Sequence, residues 1–331
     1  MLKSQKKTIT GLILNIGIHG MNIHRKFMNN NKVLVLGANG MLGKMLSLYL
    51  DSNKELEITV TSRKSTSFIE KNFKGSYLKY DVLSNNIDDL ISKKDKFGYI
   101  VNCIGIIKPK INENDAESVK NTIQVNSFLP IILQRISEEK DIHYIQIGTD
   151  CVFTGDTGSY YENSFMDAKD LYGKSKIIGE IESKNKHIVR SSIIGPEEGN
   201  GFSLMNWFLK NDEKEVSGFQ NHMWNGVTTL NFAKVVEGMI KNHNFSFKTQ
   251  HLIPKNTISK AQLLEEFKKH FNKDININHI NSDTLIDRTL KTKKIEKNEE
   301  LWKMAGYDNT PSIEENIEEL ANSEIVNRIF N

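Results

Sequence analysis

A tyrosine and a lysine stand four residues apart in the segment DLYGKSK, at Tyr172 and Lys176. In a helix, residues at this spacing project from one face, so the phenol and the ammonium would lie side by side. A free phenol titrates at about 10, and a neighbouring ammonium lowers that pKa by favouring the phenolate. The spacing therefore predicts an acid–base pair, although the same pattern also arises on helices without any catalytic role.

Hydroxyl, amide and thiol side chains precede this pair. Thr149, in QIGTDCVFTGD, follows an apolar run and could hydrogen-bond a substrate carbonyl oxygen, or Thr149 and Asp150 could form only a turn or a helix cap. Asn126, in IQVNSFLP, could join a proton relay or satisfy the backbone of a helix. We interpret Cys151 as a small apolar residue near the site rather than as a redox-sensitive thiol.

Three glycines, Gly37, Gly40 and Gly43, stand three residues apart between an apolar run and an amphipathic segment. Glycine allows a tight turn and a close approach to a pyrophosphate, whose charge is then met by the amides of a helix N-terminus. The alternative is a strand-to-helix turn that binds nothing. Its position after the first strand favours a dinucleotide site. The turn adds three more candidate contacts: Asn39, Met41 and Leu42.

The next strand ends in TSRKS, where enzymes that prefer NAD often carry an acidic residue for the ribose hydroxyls. Ser62, Arg63 and Lys64 stand there instead. A cationic, hydroxyl-bearing patch suits the 2′-phosphate of NADP(H), and a solvated basic loop is the alternative. The local charge favours NADP(H) as the cofactor.

Two further segments match the order of a nucleotide crevice. Asp81 and Val82 follow the third strand and could contact an adenine, whereas Cys103 and Gly105, in VNCIG, end a central strand where ligands collect. Three residues introduced above complete the predicted cofactor contacts: Asn126, Tyr172 and Lys176.

The segment QNHMWNGVTTL carries residues that could line a sugar or base pocket. His222, Trp224 and Asn225 are the candidates, and some of them could simply close an irregular lobe. Trp224, Asn225 and Cys151 are the predicted substrate contacts. No cluster of His, Cys and Asp has metal-ligand spacing, so no metal site is predicted.

These candidates fall on alternating apolar runs and amphipathic segments, which predict a doubly wound α/β fold around a parallel sheet. The predicted strands cover residues 32–36, 57–61, 99–103, 143–147 and 187–191. The predicted helices cover residues 41–50, 87–94, 116–138 and 171–183. Later elements are predicted as a helix at 230–241, a strand at 250–253, a helix at 259–271 with Ser259 as N-cap, and helical structure over 299–330.

Three regions are predicted along the chain. Residues 31–194 form a dinucleotide-binding Rossmann domain, and residues 195–331 form a smaller substrate lobe, interleaved with a segment near 226–254 that returns to the first domain. Residues 1–30 are expected to be an extension that is disordered or not native. Their basic start and the run TITGLILNIGI resemble a signal peptide, but no small-residue cleavage site follows.

Composition excludes several classes of partner. The 331 residues include 44 basic and 41 acidic side chains, and the net charge of +3 is too small to indicate nucleic acid or an anionic membrane. The 2 cysteines favour a reducing, cytoplasmic setting over a disulfide framework. No apolar run is long enough to span a bilayer.

Taken in order, the three glycines, VNCIG, VNSFLP, GTDCVF and YGKSK resemble an extended short-chain dehydrogenase/reductase, and most closely the dTDP-4-dehydrorhamnose reductase branch. In that branch STDYVFDG precedes YGxSKxxGE, and this chain has GTDCVFTG and YGKSKIIGE. The resemblance covers residues 32–242. It implies an NADP-binding Rossmann domain with a small sugar-nucleotide lobe, and a catalytic set of Thr149, Tyr172 and Lys176.

The resemblance also implies an activity and a partner. It implies reduction of the 4-keto group of a nucleotide-activated 6-deoxyhexose for surface polysaccharide synthesis, with a nucleotide-diphosphate sugar as partner and a possible homodimer. An epimerase or dehydratase of the same superfamily and a non-catalytic NADP-binding regulatory subunit are the alternatives. The chain departs from the family pattern at three places: Gly148 replaces the usual Ser, Cys151 stands where an aromatic is common, and RSSIIG lacks the Trp that follows the corresponding Arg. The missing Trp leaves the hexose open.

Overall fold

A seven-stranded sheet lies at the centre of the computed structural model, which describes residues 30–92, 96–198 and 201–330. Its strands, in chain order, are β1 (Lys32–Leu36), β2 (Glu57–Ser62), β3 (Ser76–Lys79), β4 (Tyr99–Asn102), β5 (His143–Gly148), β6 (Lys186–Arg190) and β7 (Thr249–His251). Side by side they run β3-β2-β1-β4-β5-β6-β7, and every pairing is parallel. The order reverses between β1 and β4, which is where doubly wound sheets bind ligands. The predicted fold class is confirmed.

Alternate residues of β1 face two separate hydrophobic cores. Val33 and Val35 belong to one core, and Leu34 and Leu36 belong to the other. All four side chains are fully buried. The uninterrupted apolar run that marks this strand in the sequence therefore reflects a sheet covered on both faces.

Helices of the first half cover these faces. They are α1 (Met41–Asp51), α2 (Ser67–Asn72), α3 (Ile87–Ser92), α4 (Ala116–Ile123), α5 (Leu129–Lys140) and α6 (Leu171–Gly179). Predicted and observed bounds agree within a few residues, and the largest difference is the end of α6, predicted at 183. The predicted extension over residues 1–29 and the predicted end of α3 at 93–94 lie outside the described residues.

The helix predicted over 116–138 contains a π-helical segment, Gln124–Phe128, between α4 and α5. Pro130 has no N–H to donate to the carbonyl of Asn126, four residues earlier, so regular α-helical bonding is interrupted there. Helix α6 crosses close to this point, because a Cβ on Gly179 would lie 2.3 Å from the Asn126 oxygen. Single π-helical turns often accompany functional sites.

The chain after residue 194 forms further helices and three small sheets. The helices are α7 (Leu204–Lys210), α8 (Thr229–Lys241), α9 (Lys260–His270), α10 (Ile295–Met304), α11 (Ile313–Ala321) and α12 (Glu324–Phe330). Ser259 caps α9 through a capping box with Gln262, as the sequence predicts for its start. The helical structure predicted over 299–330 is three helices, because Gly306, with φ of +92°, and Pro311 separate α10 from α11.

Part of this second half completes the central sheet. Strand β7 pairs with β6, and α8 packs against α1 beside β1. Asn53 donates to the Glu237 carboxylate at 2.7 Å across the helix contact, and Lys44 of α1 forms an ion pair with Glu198. The two halves of the chain are therefore interleaved in space.

A cluster of rings, here called the amino-edge cluster, lies at the amino ends of β4, β5 and β6. Tyr99, His143 and His187 come from these strands, and Phe245 stacks on His143 with ring centroids 4.1 Å apart. The Tyr99 hydroxyl lies 2.6 Å from Nδ1 of His243. Burial, together with the charge of His187, lowers the pKa of His143 to about 4.

Candidate active site

The glycine turn joins β1 to α1 in a shape that glycine alone allows. Gly37 has φ of +88°, and its N–H and that of Ala38 donate to the Thr61 oxygen at 3.1 and 2.9 Å. A Cβ on Gly43 would lie 2.1 Å from the Gly37 oxygen, so α1 packs directly on the turn. Gly40 is the N-cap residue and has no side chain to cap the first amides of α1. These amides can meet an anion.

The basic loop after β2 is held by internal hydrogen bonds. The hydroxyl of Ser62 donates to the Lys64 oxygen at 2.5 Å, and the Asn39 amide donates to the same oxygen at 2.9 Å. Ser62 is buried, whereas the Arg63 and Lys64 side chains are exposed. The structure therefore leaves the two cations as the exposed groups of this loop beside the glycine turn.

The remaining predicted cofactor contacts lie along the carboxyl edge near β3 and β4. Asp81 accepts from the Leu83 N–H at 3.1 Å, and the Val82 oxygen accepts from Gln124 at 3.3 Å. Cys103 directly follows β4, and burial raises the pKa of its thiol to about 12. Gly105 lies nearby, and a Cβ there would be 3.6 Å from Oδ1 of Asn126.

Asn126 connects this edge to helix α6, which carries Tyr172 and Lys176. Its side-chain oxygen accepts from the Ile106 N–H at 2.9 Å, and its amide nitrogen donates to the Ile106 oxygen at 2.9 Å and to the Ser175 hydroxyl at 3.1 Å. These bonds match the structural alternative considered for Asn126, in which the amide satisfies backbone. A relay through Asn126 stays a prediction.

Thr149, Tyr172 and Lys176 come together at the carboxyl end of β5. The side chain of Thr149 lies near enough to the Tyr172 phenol to affect its pKa, and Nζ of Lys176 donates to the Ile147 oxygen at 2.9 Å. Thr149 also accepts from the Cys151 N–H at 3.2 Å, so it caps the short 3-10 helix Asp150–Val152 as well. The structure thus brings together the three residues that the motifs single out.

A close approach of backbones makes this meeting possible. Helix α6 begins after Asp170, whose side chain accepts from the Gly173 N–H at 2.8 Å. A Cβ on Gly173 would lie 2.5 Å from the Cys151 oxygen and 2.3 Å from the Ala168 methyl group. Glycine at this position therefore lets the first turn of α6 rest on the turn that carries Thr149.

Burial governs the charges of the acid–base pair. It raises the pKa of Tyr172, as does the charge of Cys151, against the hydrogen bond from Thr149. It lowers the pKa of Lys176, against the attraction of Glu180. The pKa of Tyr172 is therefore raised, against the expectation that Lys176 would lower it, because desolvation of the phenolate has the largest effect on this group. Tyr172 is a neutral phenol, the protonated form that an acid needs.

Two cations of the second half face the same turn, and the sequence reasoning missed both. Nζ of Lys260, the first residue of α9, lies 5.2 Å from the centre of the Trp224 ring, and Nε of Arg288 donates to the Phe153 oxygen at 2.9 Å. Burial lowers the pKa of Lys260 to about 8, against the attraction of Asp150. Neither cation forms an ion pair with a carboxylate of the described residues. The available signal was a lysine directly after the predicted Ser259 cap.

The predicted substrate contacts of the second half are held by internal bonds. Trp224 is buried and donates from its indole N–H to the Ser192 hydroxyl at 2.9 Å. The Asn225 amide donates to the Leu290 oxygen at 2.7 Å and accepts from its N–H at 2.9 Å. His222 lies 2.9 Å from the Thr284 oxygen. For Asn225 these bonds favour the alternative of closing the lobe.

The described residues contain neither a metal-binding cluster nor a membrane-spanning helix. Over 30–92, 96–198 and 201–330, no three or more His, Cys, Asp or Glu side chains are grouped so as to hold a metal ion. Within the same ranges, no helix is long and apolar enough to cross a membrane.

The fold and the edge just described define an α/β protein of the Rossmann type with an interleaved second lobe. Solved structures of other proteins share this fold. A dTDP-4-dehydrorhamnose reductase from Bacillus anthracis in complex with NADP has a TM-score of 0.68 at 18% identity, over 88% of this chain and 98% of that one. A UDP-glucuronic acid 4-epimerase from Bacillus cereus in complex with NAD has a TM-score of 0.67 at 15% identity, over 90% of this chain and 100% of that one. Identities this low establish the fold alone.

Sequence comparison establishes the family. The family model described as the RmlD substrate binding domain matches residues 31–325. The chain belongs to this family, which confirms the resemblance seen in the motifs. It is also 26% identical over 217 residues to the spore coat polysaccharide biosynthesis protein SpsK of Bacillus subtilis, covering 62% of this chain and 68% of that relative.

Proposed function

We propose that this protein reduces the 4-keto group of a nucleotide-activated 6-deoxyhexose, with NADPH as the reductant. The observation that carries the proposal is the meeting of Thr149, Tyr172 and Lys176 at the carboxyl end of β5, the sheet edge that also holds the glycine turn. Family membership supports a sugar-nucleotide substrate. The similarity to SpsK supports a role in polysaccharide synthesis.

The residues of the carboxyl edge fit a nicotinamide dinucleotide. The uncapped amides at the start of α1 suit a pyrophosphate, and the exposed Arg63 and Lys64 suit a 2′-phosphate. NADPH, when bound, supplies the hydride. The other proposed contacts are Gly37, Asn39, Met41, Leu42, Gly43, Ser62, Asp81, Val82, Cys103, Gly105 and Asn126.

Each residue of the proposed catalytic set has its own part in the reaction, and Lys176 has two. Tyr172 carries the proton, since its raised pKa keeps the phenol neutral, and gives it to the ketone oxygen as negative charge develops there. Thr149 donates a hydrogen bond that orients the same oxygen. Lys176 holds the ribose hydroxyls of the cofactor and stabilises the phenolate left behind.

We assign the diphosphate of the substrate to Lys260 and Arg288. Both cations face the turn that carries Thr149, and neither is neutralised by a carboxylate contact within the described residues. A diphosphate would supply the missing negative charge through charge-assisted hydrogen bonds. It would also bring the sugar, which is linked to it, toward Tyr172.

The first experiment is absorbance at the reduced-nicotinamide band. Purified protein and NADPH are mixed with a panel of 4-keto-6-deoxy nucleotide sugars, and the same mixtures without protein are the control. Loss of absorbance with one member supports the reductase and identifies the substrate class. No loss with any member, despite tight NADPH binding, contradicts the proposal and favours the epimerase or the regulatory subunit.

A nucleotide-sugar epimerase is the second candidate. The epimerase from Bacillus cereus has a TM-score of 0.67, close to the 0.68 of the reductase from Bacillus anthracis, so the fold does not separate the two reactions. An epimerase regenerates its cofactor in each cycle. Conversion of the sugar without net consumption of NADPH would therefore favour this candidate.

A further inference from the structure

A buried carboxylate lies directly behind the catalytic turn. Glu180, at the end of α6, is four residues after Lys176, and its Oε1 accepts from the Thr149 N–H at 3.4 Å. Its Oε2 accepts from both Nη2 and Nε of Arg190 at 2.6 and 3.1 Å. The side chains of Glu180 and Arg190 are 1% and 3% exposed. This pair therefore joins the backbone of the catalytic threonine to the end of β6.

The hydrogen bonds continue into the second half of the chain. Nη1 of Arg190 lies 2.7 Å from Nε2 of His251, and Nδ1 of His251 lies 2.7 Å from the Lys291 oxygen. Arginine can only donate, so Nε2 of His251 accepts and its Nδ1 carries the proton toward Lys291. Lys291 in turn donates from its backbone to the Tyr160 oxygen at 2.7 Å. These hydrogen bonds therefore reach Lys291, three residues after Arg288.

Close packing around Arg190 leaves its side chain little room for another conformation. Its guanidinium lies 5.5 Å from the centre of the Phe153 ring, and Phe153 stacks on Tyr160 at 4.3 Å. A Cβ on Gly148 would lie 2.9 Å from the Arg190 Cβ and 3.0 Å from Oε1 of Glu180. The family usually has Ser at position 148. Glycine there leaves room for Glu180 and Arg190 to pack directly against β5.

We propose that Glu180 and Arg190 are positioning residues, which hold the backbone of the catalytic turn at Thr149 and connect it through His251 to the segment that carries Arg288. This inference rests on the proposed function for the roles of Thr149 and Arg288. A sugar whose diphosphate lies on the Arg288 segment then meets Thr149 at a fixed separation. The pair touches neither substrate nor reacting atoms, and it acts through the turn and through the attraction of Glu180 for Lys176.

The rate at which Cys151 is alkylated reports how tightly this turn is packed. Its measurement does not require enzyme activity. Cys151 lies two residues after Thr149, and Cys103→Ala leaves it as the sole thiol of the chain. Burial is the largest cause that raises the pKa of the Cys151 thiol to about 12, and the charges that act on it come from Asp150, Arg288 and Asp170, none of which is substituted. A change in its reaction rate with iodoacetamide after substitution of Glu180 and Arg190 therefore reports the packing of the turn.

The main variant is Glu180→Gln with Arg190→Met, because removing both buried charges avoids an unpaired one. The matched control is Asp88→Asn with Arg135→Met, an exposed pair that shares two hydrogen bonds of 2.7 and 2.8 Å. At a temperature well below each melting point, we expect alkylation at least about tenfold faster in the main variant and unchanged in the control. A rate within about twofold of the parent in the folded main variant overturns the proposal.

Arg190→Lys keeps the charge and loses the forked contact, so it tests the geometry even if the double variant fails to fold. We expect an intermediate alkylation rate, and a parent-like rate overturns the proposal. Where the reductase activity is found, kcat should fall at least about thirtyfold in the main variant with the KM for NADPH changed less than about threefold. An inactive parent protein contradicts the proposed function, whereas the alkylation rates still decide the positioning role.

Discussion

The two edges of the central sheet both hold a buried tyrosine next to a nitrogen-bearing side chain, yet only one edge has the surroundings of an active site. Burial raises the pKa of Tyr99 at the amino edge to about 12 and also raises that of Tyr172 at the carboxyl edge. The Tyr99 hydroxyl is committed to His243 within a stack of rings. Tyr172 instead lies beside Thr149, at the edge that also holds the glycine turn. The two cations near it, Lys260 and Arg288, have no carboxylate contact within the described ranges. A perturbed pKa alone therefore does not identify a catalytic group.

The strongest test of this difference is the same substitution at both edges. Tyr172→Phe should lower kcat by about 10³-fold, because the proton donor is lost, while NADPH affinity changes less than about twofold. Tyr99→Phe should leave kcat unchanged and lower the free energy of unfolding by about 1 kcal/mol through its lost hydrogen bond. Initial rates, fluorescence titration with NADPH and urea unfolding measure the three quantities. Retained turnover in Tyr172→Phe would remove Tyr172 as the acid.

The amino-edge cluster should make stability depend on pH. The pKa of His143 is about 4 in the folded chain, against about 6.5 when unfolded. Between these values the unfolded chain binds more protons, so stability is complete above about pH 6.5 and falls by up to about 3 kcal/mol as pH drops toward 4. Urea unfolding at several pH values measures this loss.

The control for the pH effect is His143→Phe, which keeps a ring against Phe245 and removes the titration. The pKa values of His187 and His251 are also lowered by burial, so part of the pH dependence should persist in this variant. Identical pH curves for the variant and the parent would show that His143 contributes nothing.

At the carboxyl edge, Lys260→Met should raise the KM for the sugar nucleotide about thirtyfold with little change in kcat. A charge-assisted hydrogen bond contributes about 2 kcal/mol, and a diphosphate keeps this contact in both the ground and the transition state. Lys269→Met, on the exposed side of the same helix, is the control and should leave the KM unchanged. Equal KM values for both variants would remove Lys260 from the proposed diphosphate contacts.

The smallest expected effect lies in the basic loop. Arg63→Asp should weaken NADPH binding about tenfold, because an acidic side chain repels the 2′-phosphate. NADH lacks that phosphate and serves as the internal control, with its affinity unchanged or improved. Fluorescence titration with both cofactors measures the ratio. An unchanged ratio would make the loop a solvated turn.

The parts of the site that the sequence predicts are those fixed by local rules. The Gly37 turn, the helix start before Tyr172 and the Ser259 cap each depend on a few neighbouring residues. The buried run of β1 is equally visible, because both of its faces are covered. Local order along the chain thus supplies the fold class and the catalytic set.

The parts that the sequence does not predict depend on distant segments meeting. Lys260 and Arg288 reach the turn at Asp150 from more than a hundred residues away, and the one local signal was the position of Lys260 directly after the Ser259 cap. The pKa of Tyr172 depends on total burial, which spacing from Lys176 does not reveal. The sequence predicts plain helix at the π-helical segment before Pro130, because the apolar spacing there stays nearly helical.

The position of β7 in the sheet has a consequence for synthesis of the protein on the ribosome. The strand that pairs with β6 ends at His251, and α8, which packs against α1, ends at Lys241. The first half of the chain therefore leaves the exit tunnel with one face of α1 and one edge of β6 uncovered. At roughly 5–20 residues per second, this exposure lasts for seconds, and chaperones that bind apolar surface have that interval in which to act.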